Sequence, residues 1–402
     1  MTEIFLTIFF ITVLLFFLGS GIWVALSMIG VSAIGMMLFT SRPVGDAMAT
    51  TIWGTSSSWT LTALPLFVWM GEILFRTKLS ENLFRGLSPW MQRLPGGLIH
   101  VNVVGCALFA AISGSSAATV ATVGKMSIPE LRKRNYPEKI LLGSLAGSGT
   151  LGLLIPPSII LIIYGVAVQE SIAKLFIAGI LPGIMIALIF MSYVIIWSLL
   201  NKKQMPSITE DYSLVEKIKK SKQLLPVILL IFAVIGSIYT GIATATEAAS
   251  LGVIGALILS YFQKSLSLDT FKSSLLGATK TSCMIAFILA GSTFLSLAMG
   301  FTGLPRNLAM WIQDMNLSPY VLIFVLMIFY IILGMFLDGI SAVVLTMAII
   351  EPMIRQAGFD MIWFGIFLVI VVEMAQITPP VGFNLFVLQG MANKDMGYIA
   401  KS

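Results

Sequence analysis

The sequence predicts an all-α polytopic membrane protein, and three observations support this fold class. Of its 402 residues, 58% are hydrophobic and only 10% are charged, a composition that excludes a soluble enzyme, a disordered chain or a nucleic-acid-binding protein. The charges are clustered, because residues 76–93, 125–139 and 201–222 hold half of them. Most of the intervening uncharged runs exceed the roughly 20 apolar residues that span a bilayer as a helix. These runs are 4–41, 47–71, 94–124, 140–169, 175–201, 223–246, 281–305 and 315–337.

The basic clusters predict the orientation of the chain. If the six lysines of 201–222 are cytoplasmic, alternating spans place 125–139 and 76–93 on the same side. All but four of the 24 Lys and Arg residues are then cytoplasmic, as the positive-inside rule requires. The run 4–41 is interrupted at Gly19-Ser20-Gly21, so it predicts two short membrane helices that follow an external N-terminus.

Two parts of the chain carry the same series of helix-interrupting residues, and the single proline is equally far from the proline pair in both. In order, the landmarks are Ser113–Thr119, Pro129, Arg132, Tyr136 and Pro156-Pro157 in the first part, and Asp338–Ala342, Pro352, Arg355, Phe359 and Pro379-Pro380 in the second. Pairing the glycines equates Gly114 with Gly339 and Ser116 with Ser341. The charge topology lets the two series enter from opposite faces of the membrane. The sequence therefore predicts an inverted-topology repeat, the architecture of secondary transporters.

The small-residue segments predict the tips of two re-entrant helical hairpins. Where a helix ends at a tip, backbone amides or carbonyls lack intrahelical partners. Carbonyl and hydroxyl oxygens suit a small hard cation such as Na⁺, whereas exposed amides attract a carboxylate. Alternatively, small residues serve only close helix packing. Recurrence of the segment at Asp338–Ala342, where a carboxylate is added, favours binding.

The proline pairs predict two helices that are broken inside the membrane. Each pair removes two backbone donors, and glycines together with Thr150 or Thr378 lie close by. Unwound backbone at that depth is tolerated where it is buried in protein or lines a water-filled cavity. A simple kink is the alternative.

Charged residues inside the membrane are candidate functional residues. Asp338, at the second tip, is the foremost candidate. Glu72, Glu247 and Glu373 fit structural pairing as well as transport, and Arg306 could face an anionic substrate or be an ordinary loop residue. With a single histidine and no HExxH, GxSxG or P-loop pattern, the sequence disfavours an enzyme.

At these motifs the sequence resembles the large membrane subunit of TRAP (tripartite ATP-independent periplasmic) transporters, the DctM-like family. The matching stretches are Leu64–Glu72, Ser113–Thr119, Gly149–Ser158, Thr246–Ala249, Asp338-Gly339 and Thr378–Phe386. The resemblance implies a Na⁺-driven, elevator-type importer of organic acids, such as C4-dicarboxylates or sialic acids, in the inner membrane of a Gram-negative bacterium. It also implies two partners, a small four-helix membrane subunit and a periplasmic substrate-binding protein.

The resemblance also implies two Na⁺ sites and a substrate site at the tips and breaks. The expected Na⁺ ligands are Ser113, Ser115, Gly149, Thr150, Pro156, Asp338, Gly339, Ser341, Thr378, Pro379 and Gly382. The expected substrate-binding residues are Ser115, Ser116, Thr119, Arg306 and Asn384. The alternatives are a stand-alone Na⁺- or H⁺-coupled dicarboxylate carrier that needs no binding protein, and a membrane enzyme or scaffold subunit.

The predicted domain organisation alternates scaffold and transport segments. Residues 1–93 form scaffold helices and a cytoplasmic arm, 94–174 the first transport repeat, 175–280 further scaffold, and 281–402 the second transport repeat. Members of the family usually carry another hydrophobic helix after the segment that matches Met391–Ile399, whereas this sequence ends at Ser402. We expect that helix to belong to the scaffold rather than to the site.

Overall fold

The structure is a computed structural model that describes residues 2–76, 79–206, 212–222, 224–303, 307, 310, 318–380 and 382–402. Over these residues every regular element is a helix, which confirms the predicted all-α class. The α-helices of the first half are α1 (Thr2–Gly19), α2 (Val24–Phe39), α3 (Val44–Ser56), α4 (Ala63–Phe75), α5 (Leu79–Met91), α6 (Ile99–Ser113), α7 (Ser116–Lys133), α8 (Glu138–Gly149), α9 (Leu151–Leu154), α10 (Ile159–Ala167) and α11 (Ile172–Leu200). Those of the second half are α12 (Leu214–Ser221), α13 (Leu225–Tyr239), α14 (Ala245–Phe262), α15 (Leu268–Thr302), α16 (Pro319–Gly334), α17 (Gly339–Gln356), α18 (Met361–Gln376), α19 (Phe383–Ala392) and α20 (Met396–Ala400).

Several of these helices are suited to a bilayer. Within the described ranges, four are long and apolar enough to cross a membrane, and seven spans result if each of three bent helix pairs counts as one. The long helix α11 exposes leucines such as Leu181 and Leu200. Such apolar surface is expected where a helix faces lipid. The predicted pair of short N-terminal helices is present as α1 and α2.

Two stretches of the chain have matching helix boundaries. Helices α7 and α17 contain 18 residues each. The number of residues between the starts of α7 and α17 equals the number between the starts of α8 and α18. The same separation relates Pro129 to Pro352 and Arg132 to Arg355. One register therefore aligns both stretches.

This register corrects the pairing by glycines, which was wrong by two residues. The residue before α7 is Ser115, whose hydroxyl accepts the Ala118 amide, and the residue before α17 is Asp338, whose carboxylate accepts the Ser341 amide. Ser115 is thus the counterpart of Asp338. A capping side chain determines where a helix begins, whereas the glycine precedes the cap in one tip and follows it in the other.

Two arginines connect the matching stretches. Arg132, on α7, donates from Nη2 to the Ala392 carbonyl oxygen at the end of α19, at 2.8 Å. Its counterpart Arg355, on α17, donates from Nη2 to the Val168 carbonyl oxygen just beyond α10, at 3.1 Å. A cation at the C-terminal end of a helix satisfies carbonyls that lack intrahelical partners and interacts favourably with the helix dipole. Each arginine thus stabilises the last helix of the other stretch.

Replacing Arg132 with methionine should therefore lower the stability of the whole protein. Methionine removes the hydrogen bond to Ala392 and also the ion pair of Arg132 with Glu138, and at this partly exposed position the two losses should together cost about 1–2 kcal/mol. Lys125→Met, an exposed change on the same helix, is the control and should have little effect. Thermal unfolding of the purified protein measures both variants, and equal unfolding temperatures would contradict the connecting role of Arg132.

Candidate transport site at the hairpin tips and broken helices

The first tip is a compact cluster of hydroxyl groups between α6 and α7. The α6 helix ends at Gly114, which adopts the left-handed conformation that permits the sharp turn. The Thr119 hydroxyl donates to the Ser115 carbonyl oxygen at 2.8 Å and lies 2.8 Å from the Ser113 hydroxyl. Three predicted site residues, Ser113, Ser115 and Thr119, are thereby brought together. Ser116 opens α7 and is almost fully buried.

The first broken helix lies against this tip. The axis bends by 41° between Glu138–Leu154 and Ile159–Ala167, and the Pro156-Pro157 peptide bond at the break is cis. A methyl group added to Gly152 would lie 2.6 Å from Ser116 Cα and 2.7 Å from the Ser115 carbonyl oxygen. The backbone of α9 therefore approaches the tip as closely as only a glycine permits. The helix is interrupted at the proline pair, where the sequence predicts a break.

The second tip is formed by the turn between α16 and α17. The exposed carboxylate of Asp338 accepts the Ser341 amide at 3.1 Å. Gly339 is packed closely: a methyl group there would lie 2.9 Å from Val372 Cγ1 and 3.4 Å from Leu153 Cδ1. The second tip therefore touches the broken helices of both stretches.

The second broken helix ends α18 and begins again at α19. Its Pro379-Pro380 peptide bond is also cis. Gly382, which precedes α19, has a φ of 51°, and a methyl group there would lie 3.1 Å from the Thr378 carbonyl oxygen and 3.2 Å from that of Gln376. The Gln376 carbonyl lies at the end of α18, and the Thr378 carbonyl lies in the unwound segment that follows. The Gln376 side-chain amide donates to the Leu337 carbonyl oxygen at 3.3 Å, which ties the break to the second tip.

The two predicted threonine ligands use their hydroxyls locally. The Thr150 hydroxyl donates to the Gly147 carbonyl oxygen at 2.6 Å, and the Thr378 hydroxyl to that of Met374 at 2.7 Å. Both hydroxyl oxygens keep a lone pair with which they can still bind a cation. Arg306, an expected substrate contact, lies outside the described residues.

Three glutamates whose roles the sequence leaves open differ in their environments. Glu72 pairs with Arg76 at 2.9 Å on the same helix. Glu247 forms a capping box with Thr244 at the start of α14. Glu373 is 3% exposed, and neither of its carboxylate oxygens has a hydrogen-bond partner. Pairing therefore accounts for Glu72 and Glu247 but not for Glu373.

Asn384, like Glu373, is a buried side chain near the site, and its polar atoms also lack hydrogen-bond partners. It is fully buried, and neither its amide nitrogen nor its oxygen makes a hydrogen bond. Its nitrogen lies 3.9 Å from the position of a methyl group added to Gly149. A residue of the second stretch therefore reaches the first broken helix, so two predicted site residues far apart in the sequence are neighbours.

The arrangement is suited to small hard ions and to anions. Over the described residues, no group of three or more His, Cys, Asp or Glu side chains is placed to hold a metal ion. The oxygens at the tips and breaks are hydroxyls, carbonyls and single carboxylates, a donor set that Na⁺ accepts. The first turn of α7 presents backbone amides, which favour a carboxylate.

Sequence reasoning missed the role of Gly152 and left that of Glu373 open. The separation of the proline pairs could have drawn attention to Glu373, since it precedes Pro379 by the same interval by which Thr150 precedes Pro156. Gly152 has no such signal, because its close approach is to the first hairpin tip, which is formed by other helices.

Comparison with known proteins identifies the family. The family model described as "Tripartite ATP-independent periplasmic transporter, DctM component" matches residues 9–402. The chain belongs to this DctM family. The resemblance inferred from the motifs is thereby confirmed, and the chain is a TRAP transporter large permease.

Relatives within the DctM family match most of the chain. The C4-dicarboxylate TRAP transporter large permease protein DctM of Pseudomonas aeruginosa is 33% identical over 366 residues, which cover 91% of this chain and 85% of that protein. The 2,3-diketo-L-gulonate TRAP transporter large permease protein YiaN of Escherichia coli is 33% identical and covers 86% and 81%. The isethionate TRAP transporter permease protein DctMQ of Oleidesulfovibrio alaskensis is 31% identical, and the match covers 96% of this chain but 60% of that longer protein.

A solved structure shares the fold of this DctM-family chain. The YdaH transporter of Alcanivorax borkumensis superposes with a TM-score of 0.65, and the match covers 94% of this chain and 92% of that one. The two sequences are 12% identical, so the likeness is one of fold.

Proposed function

We propose that this DctM-family chain imports a small organic acid together with Na⁺, and that the acid is delivered by a periplasmic binding protein. The main support is that the chain contains a hairpin tip and a broken helix twice. The two copies are related by one constant separation along the chain. Tips rich in hydroxyl groups, with unwound carbonyls beside them, suit Na⁺, and the α7 N-terminus suits the carboxylate of the substrate. The Na⁺ ions order the tips and so couple the ion gradient to substrate binding.

The chemistry of the relatives' substrates supports an organic anion. The names of similar permeases specify C4-dicarboxylate and 2,3-diketo-L-gulonate. Both are small anions, and the backbone amides and hydroxyls of the first tip are groups that bind carboxylates. A C4-dicarboxylate is the first substrate to test, and sialic acid is a further member of the same class.

The proposed mechanism is an elevator built from inverted repeats. The predicted moving part is 94–174 and 281–402, with 1–93 and 175–280 as the scaffold. Because the boundary at 281 lies inside the continuous helix α15 (Leu268–Thr302), we propose that α15 stays with the scaffold and that the second moving segment begins after it. A cleft of about 820 Å³ between these parts supports relative motion. Its lining includes Thr50 and Thr55 of α3, Thr246 of α14, Thr293 of α15 and Glu170 beyond α10. Such a hydroxyl-lined cleft admits water between the two parts.

The proposed assembly comprises this subunit, a small four-helix membrane subunit and the binding protein, in the inner membrane of a Gram-negative bacterium. The DctMQ relative, which is longer than this chain, supports an additional membrane part.

Uptake into proteoliposomes that contain both membrane subunits tests the proposal. Labelled C4-dicarboxylate should accumulate only when an inward Na⁺ gradient and the loaded binding protein are both supplied. Accumulation that needs Na⁺ but not the binding protein would favour a stand-alone carrier and contradict the tripartite proposal. Accumulation independent of Na⁺ would contradict the coupling itself.

A further inference from the structure

Glu373 is a buried carboxyl group to which the described residues supply no ion-pair partner. It lies in the last turn of α18, it is 3% exposed, and both carboxylate oxygens lack hydrogen-bond partners. A carboxyl group buried in this way is neutral unless it is paired with a cation or coordinates a metal ion. An acidic residue inside a membrane protein is accordingly a candidate for a functional site.

The surroundings of Glu373 supply no protein cation. No Lys or Arg of the described residues forms an ion pair with it, and the ionisable groups on the elements packed against α18 are engaged elsewhere or exposed. The Tyr330 hydroxyl of α16 is hydrogen-bonded to Thr346, and the Tyr164 hydroxyl of α10 donates to the Met361 carbonyl oxygen. Arg355 of α17 pairs with Glu351, and Asp338 caps α17. The remaining groups, Tyr320, Tyr193 and Lys174, are exposed. Over the described residues, no protein cation therefore balances Glu373 when it is ionised, and a bound cation would supply the missing charge.

The position of Glu373 identifies where that charge would lie. Its carboxylate lies close to the Ser116 hydroxyl, at the first turn of α7, but not in hydrogen-bond geometry with it. Ser116 is itself 4% exposed, and its backbone packs against Gly152 of the first broken helix. A side chain of the second stretch thus reaches the first tip, as Asn384 reaches the first broken helix beside Gly149.

The repeat register adds an independent observation. Glu373 is the counterpart of Thr150, since the separation between them equals that between Pro156 and Pro379. A hydroxyl oxygen in one stretch is replaced by a carboxylate in the other. Carboxylate and hydroxyl oxygens are both ligands for hard cations, and the carboxylate adds the charge that the site otherwise lacks.

We propose that Glu373 is a Na⁺ ligand that acts together with the Ser116 hydroxyl, so that one bound ion joins the second stretch to the first hairpin tip. This inference rests on the proposed Na⁺-coupled function and names a further residue for it. The ion also offsets the repulsion between Glu373 and a substrate carboxylate held at the same tip. Na⁺ must consequently bind before or together with the substrate.

Thermal unfolding of the purified complex in increasing Na⁺, with choline maintaining the ionic strength, tests the proposal without measuring transport. In Glu373→Gln the Na⁺ concentration for half-maximal stabilisation should rise by about tenfold or more. Ser116→Ala should shift it in the same direction, and the double variant should shift it less than the two single effects combined. The matched control is Glu247→Gln, which keeps the capping box and should not alter the Na⁺ dependence.

Two outcomes would overturn the inference. An unchanged Na⁺ midpoint in Glu373→Gln would remove the residue from the ion site while leaving the proposed function intact. If the glutamine variant does not fold, the Na⁺ midpoint of Glu373→Asp is measured instead, and an unchanged midpoint has the same meaning. Aspartate keeps the charge but moves it back by one methylene. A wild-type complex that Na⁺ does not stabilise would overturn the inference and contradict the proposed function as well.

Discussion

Asp338→Asn should leave the protein folded and yet weaken its apparent affinity for Na⁺ by about tenfold or more, as expected for the loss of a charged ligand. The geometry of the second tip explains why this change should affect Na⁺ affinity but not stability. The Asp338 carboxylate caps α17 by accepting the Ser341 amide. Asparagine caps a helix as well as aspartate does, so only the charge offered to the ion is lost. Asp338→Ala removes both roles and should additionally cost about 1 kcal/mol of stability.

A matched control for Asp338 exists on the neighbouring helix. Asp360 caps α18 by accepting the Trp363 amide at 2.8 Å, but it lies at the end of α18 away from the break. Asp360→Asn should change neither stability nor the Na⁺ dependence of uptake, and Asp360→Ala should change stability alone. Uptake measured over a range of Na⁺ concentrations, together with thermal unfolding, distinguishes these expectations. Equal Na⁺ dependence in the two asparagine variants would exclude Asp338 from the ion site.

Gly152→Ala should abolish uptake and lower stability by about 1–3 kcal/mol, the range for overpacking a well-packed interior. The added methyl group would lie 2.6 Å from Ser116 Cα and 2.7 Å from the Ser115 oxygen. These atoms belong to the backbone of the first tip and cannot rotate away as a side chain would. The tip and the first broken helix must therefore separate, which disrupts the proposed ion and substrate sites together.

Gly236→Ala is the control for this substitution. Gly236 lies within α13, and a methyl group there would meet nothing within 4 Å. Alanine is the better helix former by about 1 kcal/mol, so this variant should be as stable as the wild type or slightly more stable. Thermal unfolding and uptake are measured side by side. A Gly152→Ala protein with normal stability and uptake would show that the close approach has no functional importance.

The local features of this fold could be predicted from sequence because each depends on neighbouring residues. Scarce charge and long apolar runs indicate membrane helices, and a proline pair interrupts a helix wherever it occurs. The hairpin turn at Gly114 and the break at Pro156-Pro157 accordingly lie where the residues place them. The glycines predict a register between the two stretches that differs by two residues from the observed one. The helices begin at the caps Ser115 and Asp338, not at fixed distances from the glycines.

The contacts between the two stretches could not be predicted in the same way. Arg132 reaches Ala392, and Glu373 reaches Ser116, although each pair is far apart in the sequence. Which oxygen has a partner and which does not depends on how the stretches pack, and no local pattern encodes that. Glu72, Glu247 and Glu373 look alike in sequence, and the structure separates them by their partners.

The central claim is that Na⁺ and an organic acid move together through this subunit. It is tested most directly by asking whether a gradient of the acid drives the entry of Na⁺. Proteoliposomes containing the complex are given equal Na⁺ on both sides and an inward gradient of binding-protein-loaded acid, and the entry of radioactive Na⁺ is followed. The account predicts that the acid gradient drives Na⁺ into the vesicles, and that Asp338→Asn reduces this flux. Acid entry without any accompanying Na⁺ entry would contradict it.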